Sequence, residues 1–156
     1  MHQISFLPEL DRQLTQKAVE KAFSNYRLYK YLGFDEREAG ITAGYELREG
    51  GRSNTTSDQT ANIAVHNVDS KAAQKAYCER LERSVNRLPS KERFLITERY
   101  MGQDSEYITD YNIYCHKFDP PISENTYYKI RWKAFYKLAL ALDVQVAKNP
   151  QDERIT

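Results

Sequence analysis

The chain has 156 residues, 29% of them charged and 40% hydrophobic, with a formal net charge of +1 and a mean hydropathy of -0.77. That length suits one ordinary domain, or two small helical ones joined by a linker. No apolar run nears the roughly 18 residues needed to span a bilayer. The first residues also lack the charged head and small-residue cleavage site of a secretory signal, so a cytoplasmic protein with no membrane partner is expected.

In chain order, the first expected helix runs from Asp11 to Leu32. Asp11 is a good N-cap and Gly33 a natural stop. Leu14, Ala18, Ala22, Tyr26 and Tyr29 recur with the helical period, and Phe23 and Leu32 widen that stripe. From 40 to 67 the pattern disappears. Gly40, Gly44, Gly50 and Gly51 fall here, with the polar cluster from Ser53 to Asp58. This composition reads as a flexible linker, with a short turn near Ala61 to Val65. It divides the chain into an N-terminal helical segment (1–39), the linker (40–67), a helical domain (68–148) and a tail (149–156).

Periodicity resumes at Asp69, a candidate N-cap, and runs to Leu88 through Ala73, Tyr77, Leu81 and Val85. Glu79 with Arg83, and Glu82 with Arg87, suggest charge pairs on its solvent face. Pro89 breaks this helix and Ser90 is placed to cap the next, Lys91 to Met101, with Phe94, Leu95, Thr97 and Tyr100 as buried positions. Gly102 ends it. A helix from Ser105 to Lys117 follows, burying Tyr107, Ile108, Tyr111 and Tyr114 or Cys115. Asp119-Pro120-Pro121 forces a turn, and a last helix runs from Ser123 to Ala147. There is no convincing strand, so the expected fold class is all-α.

The last helix carries the sharpest functional signal. Ser123 is a strong N-cap, and Glu124 suits the positive end of the helix dipole. Tyr127, Ile130, Ala134, Leu138 and Ala141 make a core stripe. The other faces carry Asn125, Tyr128, Lys129, Trp132, Lys133, Tyr136 and Lys137. A helix entering the major groove offers base edges the side chains of its first two turns. Asn125 suits adenine, Lys129 guanine, and Thr126 a thymine methyl or a phosphate. Lys133 and Lys137, one and two turns further on, would meet phosphates. The charge is segregated accordingly: residues 121–148 sum to +3 and residues 102–119 to -3.

Other chemistries find little support. His2, His66 and His116 are scattered, and Cys115-His116 lacks a second ligand pair, so no metal is expected. Cys78 and Cys115 cannot form a disulfide framework and read as small helical thiols. Gly50-Gly51 is followed by polar loop rather than by a lysine-tipped helix, so no phosphate loop is present. Neither a catalytic residue nor a cofactor is expected, and the chain does not read as an enzyme.

Two resemblances extend this reading. Leu88-Pro89-Ser90-Lys91-Glu92-Arg93-Phe94-Leu95-Ile96 followed by Arg99-Tyr100 resembles the opening of the promoter-reading domain of sigma factors. Ser123 to Leu138 resembles that domain's recognition helix at Ser123, Tyr127, Ile130, Ala134, Phe135, Lys137 and Leu138. The resemblance implies a tetrahelical helix-turn-helix fold with DNA-facing slots at Glu124, Asn125, Thr126, Tyr128 and Lys129. Glu124 and Thr126 stand where sigma factors carry arginine, so the standard promoter element is not the expected target. The turn carries Pro120 and Pro121 in place of the usual glycine.

A second set of residues spans most of the chain: Leu7-Pro8-Glu9-Leu10-Asp11, Val19-Glu20-Lys21-Ala22, Tyr26-Arg27-Leu28-Tyr29, Tyr77-Cys78-Glu79-Arg80, Val85-Asn86-Arg87-Leu88, Tyr127-Tyr128 and Ala134-Phe135-Tyr136-Lys137-Leu138-Ala139. These resemble the ArpU family of phage transcriptional regulators. That resemblance implies a protein of phages or prophages of Gram-positive bacteria that controls late genes for packaging, structure or lysis. The expected partners are double-stranded promoter DNA, bacterial RNA polymerase and a second copy of the chain. The competing expectation is a phage packaging or structural component, such as a small DNA-recognition subunit.

Overall fold

The computed structural model describes residues 9–33, 57–149 and 151, with side chains in the second helix described from Asp69 onward. Residues 40–56 of the linker expected over 40–67, and the ends of the chain, lie outside the described residues. Among these, the chain is all-α: α1 (Arg12–Leu32), α2 (Ser57–Asn86), α3 (Ser90–Ile96), α4 (Asp110–Asn112) and α5 (Glu124–Leu142). A π-helical turn extends α3 over Thr97–Met101 and another extends α4 over Ile113–Lys117, and a short 3-10 turn covers Gln103–Glu106. No strand occurs among the described residues; Leu10 and Ala147 form one isolated antiparallel bridge. No described helix is long and apolar enough to cross a membrane.

α1 begins as its sequence suggests. The Asp11 carboxylate accepts the Leu14 backbone N–H at 2.9 Å, satisfying one of the orphan donors of a helix start. Gly33, at φ 73°, closes the helix by donating its N–H to Tyr29 O. The buried face differs from the expected stripe at its ends. Thr15, Val19, Ala22, Phe23 and Tyr26 are buried, whereas Leu14 is 49% and Leu32 59% exposed. The reason lies at the other end of the chain. Thr15 Oγ1 donates to Val146 O (3.3 Å) and accepts from Val146 N (3.2 Å), which holds Thr15 instead of Leu14 on the buried face, while Ala22, Phe23 and Tyr26 are buried as expected.

α2 starts at Ser57, not at Asp69, so residues 57–67 are helical and not linker, and the turn expected near Ala61 to Val65 is part of that helix. Neither glycine nor proline interrupts the run from Ser57 to Asn86, and a capping-competent aspartate does not by itself break a helix. Cys78, Leu81, Ser84 and Val85 are buried, and Ala73 is exposed. Glu82 does not pair with Arg87: it faces α1, accepting Lys30 Nζ at 2.7 Å and Tyr26 Oη at 2.8 Å.

Ser90 is the first residue of α3 rather than its cap, since Pro89 occupies the cap position without a side-chain hydrogen bond. Glu92, Leu95, Ile96 and Tyr100 face inward. Phe94 and Thr97 point outward instead, Phe94 meeting Phe118 edge-on at 4.9 Å. The single helix expected from Ser105 to Lys117 is split. Ser105 Oγ donates to Gly102 O (2.6 Å) within the 3-10 turn, and Thr109 Oγ1 accepts Asn112 N (3.3 Å) to start α4 afresh. Local side-chain capping on both sides of Tyr107 ends one segment and nucleates the next. Tyr107 is accordingly 86% exposed, Tyr111 is also exposed, and Ile113 takes the core position.

α5 stops at Leu142 and not at Ala147. Asp143 adopts the left-handed conformation, φ 56°, and Val144 N donates back to Ala139 O at 2.9 Å. Residues 144–148 then run as an extended strap along the start of α1. Asp11 N donates to Val146 O (2.8 Å) and Lys148 N to Glu9 O (3.0 Å). Pairing with α1 satisfies the backbone groups that a longer α5 would have used itself.

α1, α2, α3 and α5, with Ile113 from the extension of α4, contribute to one core. Val19, Phe23 and Tyr26 of α1 meet Leu81 and Val85 of α2, Leu95 and Ile96 of α3, and Phe135 and Leu138 of α5. Phe23, Tyr100 and Phe135 stack in sequence with centroids 5.5 and 5.3 Å apart. The N-terminal helix is therefore packed into the body of the chain.

Three tyrosines in this core make stability sensitive to alkali. Burial, then a hydrogen bond donated to Glu82, raises Tyr26 above the ordinary tyrosine range; burial and Asp110 raise Tyr127 likewise; and burial pushes Tyr100 up to about 12. A raised folded-state pKa contributes stability that is full below the unfolded value of about 10 and is lost as pH climbs towards the folded one. The unfolding free energy from urea titrations should therefore hold to pH 9 and fall from pH 10 to 11.5, by up to about 1.4 kcal/mol per pH unit for each tyrosine, with the midpoint falling alongside it. A midpoint unchanged across that range would contradict the placement of these phenols.

Candidate nucleic-acid interface

α5 begins after the turn at Asp119-Pro120-Pro121, and its first residues are well capped. Ser123 Oγ accepts Thr126 N at 3.2 Å and lies 2.9 Å from Thr126 Oγ1. The two hydroxyls are thus in hydrogen-bond contact with each other. Glu124, Asn125, Thr126, Tyr128 and Lys129 are exposed. Ile122 N donates to Tyr114 O (3.1 Å), which ties the turn to the end of α4.

Asp110 fixes the relation of α4 to α5. Its Oδ1 accepts Tyr127 Oη at 2.6 Å and Arg99 Nε at 2.9 Å, and its Oδ2 accepts an Arg131 guanidinium nitrogen at 3.3 Å. Arg131 reaches Gln16 Oε1 of α1 at 3.4 Å and lies over the Tyr128 ring at 4.6 Å. Tyr127 is fully buried and also packs on Tyr114. One carboxylate therefore joins the α3 extension, the start of α4, and the first and second turns of α5.

The residues expected to meet nucleic acid separate into two groups. Asn125, Tyr128, Lys129, Trp132 and Lys133 line one concavity of about 430 Å3, together with Arg12 of α1. Asn125, Lys129 and Lys133 recur every four residues along this face, over about 12 Å of helix. Trp132 is half-buried, with the Arg12 guanidinium 4.8 Å above its ring and Tyr136 edge-on at 6.2 Å. Lys137 stands apart. Its Nζ binds both oxygens of Glu92, at 2.8 and 3.1 Å, and Glu92 is only 5% exposed. Expected as a phosphate contact, Lys137 instead neutralises a buried carboxylate of α3.

Arg12 and Asp110 had no signal in the local sequence. Arg12 lies 120 positions from Trp132, and only folding brings them together. Asp110 looked like one acid of an acidic segment. No group of three or more histidines, cysteines or carboxylates among the described residues is arranged to hold a metal. Burial raises the Cys78 thiol above its usual value, which disfavours the reactive thiolate.

Two substitutions test this bracing. Asp110→Ala leaves Arg99 and Arg131 without their carboxylate and should cost about 3 kcal/mol, whereas Tyr127→Phe should cost about 1.5 kcal/mol, both read from urea midpoints. A larger loss for Tyr127→Phe would displace Asp110 from the centre of the network. Lys137→Ala should lower stability by about 1–3 kcal/mol by stranding Glu92, and adding Glu92→Gln should recover part of that loss.

No family model and no solved structure matches this chain. The chain is 24% identical over 142 residues to an uncharacterized phage-related protein of Listeria innocua serovar 6a, covering 91% of this chain and 96% of the relative. The likeness runs through nearly the whole of both proteins and supports a phage-related origin for the chain.

Proposed function

We propose that the chain is a sequence-specific DNA-binding transcriptional regulator of phage late genes, acting as an activator and reading duplex DNA with the start of α5. The reading rests on one observation above all. Behind a short turn, a capped helix braced by α4 exposes Asn125, Lys129 and Lys133 along one face, and neither lysine is committed to a carboxylate among the described residues. α4, the turn and α5 then serve as a helix-turn-helix, in the order that the sigma-factor resemblance implies. The ArpU-family resemblance and the phage-related likeness support the late-gene context.

On this reading the chemistry follows from position. The span from Asn125 to Lys133, about 12 Å, is close to the width of the major groove. Asn125 offers its amide to adenine, and Lys129 its ammonium to guanine O6 and N7. Thr126, its hydroxyl held by Ser123, offers a methyl to thymine. Glu124 accepts from cytosine N4 and repels phosphate, which sets the register. Lys133, a turn beyond Lys129, meets the backbone.

A specific feature favours a polymerase-contacting variant of this function. A second concavity, of about 600 Å3, lies between α3 and the end of α4 and is lined by Lys91, Phe94, Thr97, Lys117 and Phe118. On the sigma-like variant of this reading, those two elements are the ones that touch RNA polymerase. A complex with polymerase at low salt and without DNA supports the variant; its absence favours a regulator that acts through DNA alone.

Duplexes selected by the protein from a random pool provide the test. Lys129→Ala should weaken binding to the selected duplex by about 1–3 kcal/mol and relax preference at one base pair. Lys133→Ala should weaken all duplexes alike and reduce the salt slope by about one. Equal binding of every duplex by the parent protein would remove sequence-specific recognition, and an unchanged base preference in Lys129→Ala would remove Lys129 from it.

A further inference from the structure

We propose that Arg12, in the first turn of α1, is a third cation of the α5 site and takes a backbone phosphate of the bound duplex. The inference rests on the DNA-binding reading and adds a residue from the other end of the chain to it. Arg12, Lys129 and Lys133 line the same concavity, and none has a carboxylate partner among the described residues. Cations gathered without counter-ions repel one another, and an anion bound between them relieves that repulsion.

The geometry around Arg12 suits a phosphodiester. Its guanidinium lies over the Trp132 ring at 4.8 Å, which holds the planar group by its face and leaves the N–H donors at its edge for an anion. Trp132 sits in the third turn of α5, beyond the first two turns, which are the ones that reach base edges. A cation at that level meets the sugar-phosphate backbone and not a base. Two flanking hydrogen bonds keep it there. Asp11 N and the Thr15 hydroxyl both bind Val146 O, so the strap after α5 fixes the first turn of α1 against the site. Among the described residues, three other arginines near α5 are committed: Arg131 and Arg99 share Asp110, and an Arg80 guanidinium nitrogen donates to Ala141 O.

The test uses the full chain, a selected duplex and an unrelated duplex, with fluorescence anisotropy between 50 and 200 mM salt. Arg12→Ala should weaken both duplexes by the same factor and reduce the salt slope by about one unit, changing the loss of affinity over that range by about three- to fourfold. Arg12→Lys, which keeps the charge, should retain the parent slope. A thermal melt matching that of the parent identifies the loss as one of contact and not of folding. Parent-like affinity and slope in Arg12→Ala overturn the inference while leaving DNA reading by α5 intact. No duplex binding by the parent overturns the DNA reading and the role of Arg12 with it. Displacement of the duplex by micromolar dAMP also overturns the inference, because the concavity would then take a free nucleotide.

Discussion

The carboxylate of Asp110 is the interaction on which the arrangement of the C-terminal helices depends. Three donors from two other elements converge on it: Arg99 from the extension of α3, and Tyr127 and Arg131 from α5. The four-residue spacing of Tyr127 and Arg131 places both on the same side of α5, one turn apart. A short helix such as α4 has little intrinsic stability, because helix nucleation is costly and few residues are available to propagate it. Its position is set by this network, by the cap at Thr109, and by the Ile113 side chain in the core. The charged groups are largely withdrawn from water yet matched to one another, the condition under which such groups are tolerated inside a fold.

The same network determines which charges remain for a partner. A net charge of +1 conceals a division of labour among the basic residues. Arg99 and Arg131 are spent on Asp110, Lys137 on Glu92, and Lys30 on Glu82. Arg12, Lys129 and Lys133 are left beside one another. On α5 itself, Lys129 and Lys133 are the basic residues that the fold has not already paired, and Arg12 of α1 joins them in the proposed DNA-reading surface. That surface is narrower than the whole polar side of α5.

The strap after α5 connects these two halves. Asp143 ends the helix in a left-handed turn, and Val146 then binds both Asp11 and Thr15. The strap holds Thr15 on the buried face, because a buried hydroxyl requires hydrogen-bond partners and Val146 supplies a donor and an acceptor. The placement of Thr15, the position of Arg12 and the end of α5 are therefore one event.

Much of the local structure was legible in the sequence. Asp11, Gly33, Ser123 and the prolines at 89, 120 and 121 mark helix ends and turns through their own backbone chemistry, which acts over three or four residues. The all-α class and the exposed polar face at the start of α5 follow from helical periodicity alone. Tertiary structure decided what periodicity leaves degenerate: which end residues of the α1 stripe are buried, and where α5 stops. It also decided which cations are neutralised, because an ion pair such as Lys137–Glu92 joins residues 45 positions apart. A sequence displays charges and short-range caps. Only packing brings distant charges together, and for Arg12, Asp110 and Lys137 that is what separates structural ion pairs from an open cationic surface.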